Sequence, residues 1–330
     1  MVHKVSVIAT VKNEQGNIGA LLTSLLDQSR KPDEIVIVDG GSGDDTVKVI
    51  ETFIAEGAPI RLLVAPGANI SQGRNLAIEN AIGDIIASTD AGVKLSPDWL
   101  QSLVNGFGAG GDAAQRNGFS ADVVSGFFVP DPQTVFEVAM GATVLPTLEE
   151  CDEKKFLPSS RSIAFTKEAW RRVGGYPEWL DYCEDLVFDF DLRAAGCRFV
   201  FVPNAVVHFR PRKTLYQFFK QYYLYARGDG KADLWLKRHI IRYATYVLAP
   251  IALALGFWYK VLWLLVIAAS FAYLQRPYRR LWPSLKHLRR NEQLEAILWV
   301  PIIRMTGDIA KMIGYPVGVW WRLRKLGPNA

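Results

Sequence analysis

The chain has 330 residues, half of them hydrophobic and 22% charged, which excludes a disordered tail and suffices for one large domain with an appendage or for two ordinary ones. Its three cysteines, Cys151, Cys183 and Cys197, are odd in number and irregularly spaced, so they fit neither a disulfide framework nor a zinc site and suit a reducing compartment. The net charge of +5 hides a division: residues 1–209 carry 17 Lys and Arg against 28 Asp and Glu, net −11, and residues 210–330 carry 21 against 5, net +16.

The front alternates strand and helix. The N-terminus turns polar too soon for a secretory signal, and Val5–Val11 reads as a buried strand. Ile18, Leu21, Leu22, Leu25 and Leu26 then recur at helical spacing. Glu34–Val38 is a second strand, and Asp44 and Asp45 precede a helix carrying Val47, Ile50 and Ile54. Ile60–Val64 and Asp84–Ser88 read as strands three and four, and a helix follows Pro97. Strands alternating with single helices imply parallel pairing in an α/β doubly wound sheet. Residues 106–122, rich in Gly, Ala, Asp and Asn, read as a loop. Val123–Val129 is a strand, residues 130–160 stay ambiguous, Thr166–Val173 and Leu186–Ala195 are short helices, and Phe199–Val202 is the last strand.

The back is different. From Ala244 to Gln275 the only charge is Lys260. The stretch is too long for one ordinary span of about 20 residues, and each half is short for one. Lys237, Arg238 and Arg242 precede it and Arg276, Arg279 and Arg280 follow, which favours a membrane-inserted hairpin or re-entrant pair over a single tilted span or a soluble core. Glu295–Leu326 mixes apolar and basic residues as an interfacial helix does, although an ordinary packed amphipathic helix has the same pattern. The basic surplus beside so much apolar sequence points to anionic lipid headgroups, and no nucleic-acid partner is expected.

Ligands of an open parallel sheet bind beyond the carboxyl ends of its strands. Glu14, Asp39 and Asp90 fall there, and three like charges gather on one edge only for a reason, such as ribose hydroxyls, a base edge or a divalent metal. The loop VDGGSGDDT lacks the dinucleotide spacing, and the chain has no triphosphate-binding G-x-x-x-x-G-K-[ST] loop. A nucleotidyltransferase would want a basic, glycine-rich loop where this chain reads TVKNEQGN.

In order, SVIATVKNE, IVIVDGGSGDDT, GRNLAIENAIGDIIASTDAG, VGGY, EDLVFDFDLRAAG and PNAVVHF resemble the family 2 glycosyltransferases over about residues 4–210. The resemblance implies a type A glycosyltransferase fold, a Rossmann-like, mostly parallel sheet, followed here by C-terminal hydrophobic and amphipathic helices. It implies inverting transfer from a nucleotide-sugar donor, a UDP-sugar ahead of a GDP-sugar. Thr10, Glu14 and Asp39 would meet the nucleoside, and Arg74 and Asn75 would lie along the donor. Asp90 would bridge the nucleotide-sugar and a divalent cation, Mn2+ or Mg2+, with His208 completing the metal site. Gly92 stands where the family often has a second acid, so the cation is in question, and Lys94 is a substitute for part of its charge. Asp185 would be the general base with Glu184 supporting it or touching the acceptor. Ser160 and Arg161 are candidates for acceptor or phosphate binding, and Arg227 for a basic gate over the donor. These readings give a catalytic domain over residues 1–210, a gate or linker over 211–240 and membrane-associated helices over 241–330. The expected partners are the donor, a lipid-linked or membrane-delivered acceptor and membrane lipids, with the catalytic domain facing the cytoplasm. A non-catalytic nucleotide-sugar-binding scaffold is the competing reading.

Overall fold

The structure, a computed structural model, describes residues 3–108, 119–153 and 155–326. Most of the loop expected over residues 106–122 lies outside them. The chain divides into two compact units: Met1–Asp131 with Leu148–Phe209, and Pro132–Thr147 with Arg210–Ala330.

In the first unit, β1 (Val5–Val11), β2 (Glu34–Asp39), β3 (Ile60–Val64) and β4 (Ile85–Ser88) pair in parallel in the order β3-β2-β1-β4. Their apolar runs are continuous because the central strands are covered on both faces. Helices α1 (Ile18–Leu26), α2 (Thr46–Ala55) and α4 (Trp99–Gly106) bury Leu21, Leu22, Leu25, Ile50, Trp99 and Leu103 on one face. On the other, α3 (Ile70–Asn80), α6 (Lys167–Val173) and α7 (Glu184–Ala194) bury Ala77, Ile78, Ala169, Phe188 and Leu192. The sheet goes on through β7 (Ile163–Thr166), β6 (Val123–Pro130), β8 (Phe199–Phe209) and β5 (Val93–Leu95), eight strands in all, with β7 and β5 antiparallel to their neighbours.

Strand β8 runs seven residues past its expected end at Val202. Pro203 reads as a breaker, but it sits at a shift in register between Ser125 and Phe127, where the ladder omits a pairing. Gly126 marks that bulge, since a Cβ there would collide with Ser162 Oγ and Ala205 O. Strands β5 and β7 and helix α3 were not expected from the sequence.

The second unit is helical: α5 (Val135–Val144), α8 (Leu215–Lys231), α9 (Leu236–Leu255), α10 (Val261–Leu285) and α11 (Arg290–Leu326). Phe136, Met140, Phe218, Leu281, Val300 and Ile303 form its core. Helices α8 and α11 meet backbone to backbone: a Cβ at Gly314 would strike Tyr223 O, and one at Gly318 would strike Arg227 O. Residues 211–240, expected as a gate or linker, are thus mostly regular helix, with α8 locked against α11. The expected pair of apolar helices exists as α9 and α10, joined by the turn Gly256–Lys260, and α10 is long and apolar enough to cross a membrane by length and composition.

Candidate active site

The ends of β1, β2 and β4 carry Thr10, Asp39 and, two residues beyond Ser88, Asp90. Asp39 is 1% exposed. Its Oδ1 accepts from Gly41 N at 2.9 Å and Ser42 N at 2.8 Å, and its Oδ2 accepts from Ser42 Oγ at 2.5 Å. The carboxylate therefore shapes the loop after β2, helped by Gly41 at φ +86° packed against Pro66, with Oδ2 taking a single bond. Glu14 is half-buried and accepts from Asn17 Nδ2 at 2.7 Å, while its backbone carbonyl takes the N–H groups of Asn17 and Ile18 at the start of α1. Thr10 is half-buried where α3 crosses β1; a Cβ at Gly73 would lie 2.8 Å from its Cγ2.

Helix α3 supplies the centre of the site. Asn69 caps it with a reciprocal bond to Gln72, which aims the buried face Ser71, Arg74, Asn75 inward. Arg74, 3% exposed, donates from Nη1 to Glu184 Oε1 at 2.7 Å and from Nη2 to Asp90 Oδ1 at 3.1 Å, with its guanidinium 5.2 Å above the Tyr176 ring. Burial works against its charge, but Glu184 and then Asp90 outweigh that and hold it protonated. Arg161 Nε stands 3.8 Å from the other oxygen of Asp90, its guanidinium 4.5 Å over Phe209. Asp90 is thus held between two guanidinium groups.

Glu184 and Asp185 open α7, where carboxylates meet the positive end of the helix. The residue before them, Cys183, has φ 65°, a left-handed conformation uncommon outside glycine and fixed here by the buried surroundings. Burial first, and then the charge of Asp185, pushes the Glu184 carboxyl up to about 7 against the pull of Arg74. Desolvation also raises Asp185, opposed by Arg74, the Leu186 N–H and Arg161. Asp185 remains half-exposed; Oδ1 accepts from Leu186 N at 2.9 Å, and Oδ2 has no protein partner among the described residues. One turn on, Asp189 is 1% exposed with Oδ2 unpartnered, and burial, then Asp185, pushes it well above the usual carboxylate range.

Several expected site residues serve other ends. The Asn75 amide is saturated: it donates to Tyr176 O and Glu178 Oε1 and accepts from Trp170 Nε1 and Tyr176 N, all at 2.8–3.1 Å. It pins the Gly175–Glu178 loop and has nothing left for a donor. Ser160 is 3% exposed and pairs with Tyr176 Oη at 3.1 Å, which removes it from any acceptor surface. Lys94 and His208 pair across β5 and β8 and line an open groove of about 450 Å³ with Ser24, Asp27, Gln28 and Ser96; His208 Nε2 is 3.4 Å from Ser96 Oγ. The cations beside Asp90 are therefore Arg74 and Arg161, not Lys94. Arg227 lies on α8 in the second unit.

No preformed metal site is seen among the described residues. Both Asp90 oxygens face guanidinium groups, His208 faces Ser96, and the described residues include no group of three or more His, Cys, Asp or Glu placed to hold a metal. Sequence reasoning missed Tyr176 and Asp189. Asp189 stood in the same EDLVFDFD segment as Asp185, and its i+4 spacing on a helix was the available signal.

A parallel half-sheet with acids at its carboxyl edge, extended by mixed strands and covered by helices, defines the type A glycosyltransferase fold. A mannosyltransferase from Pyrobaculum calidifontis, solved with GDP-Man and Mn2+, shares it at TM-score 0.56 and 18% identity, over 94% of this chain and 88% of that one. Residues 6–161 match the family model for Glycosyl transferase family 2. A succinoglycan biosynthesis protein, ExoA of Rhizobium meliloti, is 26% identical over 233 residues, 68% of each chain. An undecaprenyl-phosphate 4-deoxy-4-formamido-L-arabinose transferase of Serratia proteamaculans is 34% identical over 110 residues, 31% of this chain and 33% of that one. The chain spans 68% of the length of ExoA and about a third of that of the arabinose transferase.

Proposed function

We propose that this glycosyltransferase inverts the anomeric centre as it moves a sugar from a nucleotide-sugar donor, UDP-linked in preference to GDP-linked, to a lipid-linked acceptor in glycan or glycolipid synthesis. The observation that carries this reading is the acid pair at the start of α7. Asp185 keeps one oxygen on the Leu186 N–H and the other open, on a helix fixed by the Glu184–Arg74–Asp90 bridge. In a single displacement the acceptor oxygen bonds to the anomeric carbon, its proton passes to Asp185 Oδ2, and the bond to the diphosphate oxygen breaks. Arg161 supplies positive charge beside Asp90 for the departing diphosphate. Glu184, buried and tied to Arg74, positions α7 rather than touching substrate. The undecaprenyl-phosphate relative and the apolar α9–α10 hairpin support a lipid acceptor and membrane association, and the odd count of three irregularly spaced cysteines suits a catalytic unit facing the cytoplasm.

The test is nucleotide release from a panel of UDP- and GDP-sugars with a membrane lipid extract as acceptor, with Mn2+, Mg2+ or chelator, for wild type and Asp185→Asn. One donor turned over by the wild type and not by the variant, with donor binding retained, is the expected result. Nucleotide binding without turnover of any donor favours the scaffold reading.

A further inference from the structure

The second unit contains a helical hairpin, α9–α10, whose tip no other described residue of that unit covers. Between Val247 and Ala272, Gly256 is the one buried residue, and what shields it is Trp263 of the hairpin itself. Lys260 is the sole charge in the stretch. Fourteen large hydrophobic side chains there are exposed, Phe257 and Trp258 at the turn by 75% each. A partner protein covers one face of a helix pair, and a groove would leave the far side polar. Here both arms are apolar on every outward side, which is the pattern of a hairpin solvated by lipid.

The root of the hairpin fixes where that environment begins. Arg242 Nε donates to Asp308 Oδ1 at 2.7 Å, Tyr273 Oη donates to Asp308 Oδ2 at 2.6 Å, and Tyr243 Oη donates to Met312 O at 2.6 Å, so α9 and α10 are tied to α11 there. Lys237 and Arg238 precede this level on α9 and Arg276, Arg279 and Arg280 follow it on α10, a collar complementary to anionic headgroups. Along α11, Leu294, Leu298, Ile302, Met305, Ile309 and Ile313 are exposed every three or four residues, a stripe suited to lying along a bilayer surface. Beyond the root, Val247–Leu255 has nine residues and Val261–Ala272 twelve. At 1.5 Å per residue these arms reach about 14 and 18 Å, roughly half of a hydrocarbon core of about 30 Å.

We propose that the α9–α10 hairpin inserts into a single leaflet of an anionic phospholipid bilayer and ends near its midplane, with α11 lying along the surface. This rests on the membrane-bound reading above and fixes its depth. The flexible Lys260 stem bends the tip ammonium back toward the entry side.

The experiment uses the full chain with Cys151→Ser, leaving the two buried cysteines, and a single new cysteine at Lys260→Cys or, as a control, at exposed Glu56→Cys. Protein is added outside sealed vesicles of phosphatidylcholine with or without about one third phosphatidylglycerol, floated, and treated with an impermeant maleimide either outside or enclosed. The expected result is flotation about tenfold better with the anionic lipid, labelling of Glu56→Cys from outside, and labelling of Lys260→Cys from neither side until detergent is added. Labelling of Lys260→Cys by the enclosed reagent overturns the single-leaflet depth, and labelling from outside while the protein floats overturns insertion. Failure to float on either vesicle overturns the membrane-bound reading itself. Phe257→Glu with Trp258→Glu, at exposed positions that leave the core intact, is expected to lose flotation; unchanged flotation counts against insertion.

Discussion

Removing the Arg74 side chain with Arg74→Met leaves Glu184 and Asp90 facing each other without their shared cation. Breaking a buried pair by deleting one partner costs about 3–5 kcal/mol, and the exposures here, 3% for Arg74 and 9% for Glu184, place the bridge in that class. The cost depends on pH in a defined direction. With its carboxyl at about 7, wild-type Glu184 is mostly protonated at pH 6 and mostly ionised at pH 8. Without Arg74 the carboxyl rises further and stays protonated across that window. The variant then binds about one more proton than the wild type at the alkaline end, while the unfolded chains match. Integrating the difference from pH 6 to 8 gives an extra loss of about 1.4 kcal/mol at the higher pH. Urea unfolding of both proteins in mild detergent at the two pH values reads it directly. A loss below about 1 kcal/mol at pH 8, or one that shrinks as pH rises, would refute the account of Arg74 as the cation that organises the site.

Asp185→Asn is expected to lower turnover by about 10²–10⁴-fold while donor affinity, measured by equilibrium dialysis, changes little; a parallel loss of both would make Asp185 a binding residue. Arg161→Ala is expected to lower turnover by about 10²-fold, and Lys94→Ala to leave it unchanged, because the Lys94 side chain lines the groove beside His208; the reverse ranking would restore Lys94 as the charge beside the donor. Gly175→Ala combines a φ of +89° with a Cβ 2.7 Å from Asn75 Oδ1, and Gly67→Ala combines a similar φ of +83° with open space. The first is expected to cost about 2 kcal/mol more than the second in thermal or urea unfolding, and equal costs would show that the Asn75 hub does not set the loop.

The parallel half of the sheet was legible because the buried strands β1, β2 and β4 write nearly continuous apolar runs, and the more exposed β3 keeps an apolar run broken only by Arg61. Helix α3 was not, because four of its six buried residues are Ser71, Gly73, Arg74 and Asn75, with only Ala77 and Ile78 apolar and large enough to pack: the residues that build the site weaken the apolar periodicity that announces a helix. The far half of β8 was hidden by Pro203, tolerated only at the bulge beside Gly126. Long-range geometry was hidden altogether. The Arg74–Glu184 bond spans 110 residues, and the three-residue β5 turns Lys94 toward the His208 groove. The acids at the sheet edge and the Glu184-Asp185 pair could be read from motif order, whereas the division of labour among them could not. Asp39, Asn75 and Ser160 turn out to be bound to their own scaffold, and that depends on partners no local pattern specifies.

The charge balance of the site ties these residues to the donor. Among the described residues Asp90, Glu184, Asp185 and Asp189 face Arg74 and Arg161, with Arg193 acting on Asp189, so with every acid ionised the negative charges outnumber the positive ones and the cluster would repel an anionic diphosphate. Burial eases the conflict by pushing the Asp189 carboxyl well up, and it holds Glu184 near the middle of its titration at about pH 7. As the pH rises through that value, Glu184 ionises and the site gains one negative charge beside Arg74. Donor affinity is therefore expected to fall about tenfold between pH 6 and 8, and Glu184→Gln, which keeps an oxygen for Arg74 and cannot ionise, is expected to flatten the profile. Calorimetric titration of the nucleotide-sugar into both proteins across that range separates this from donor ionisation, which the two proteins share. An equally steep fall in the variant would mean that the carboxyl of Glu184 does not govern how the site receives its substrate.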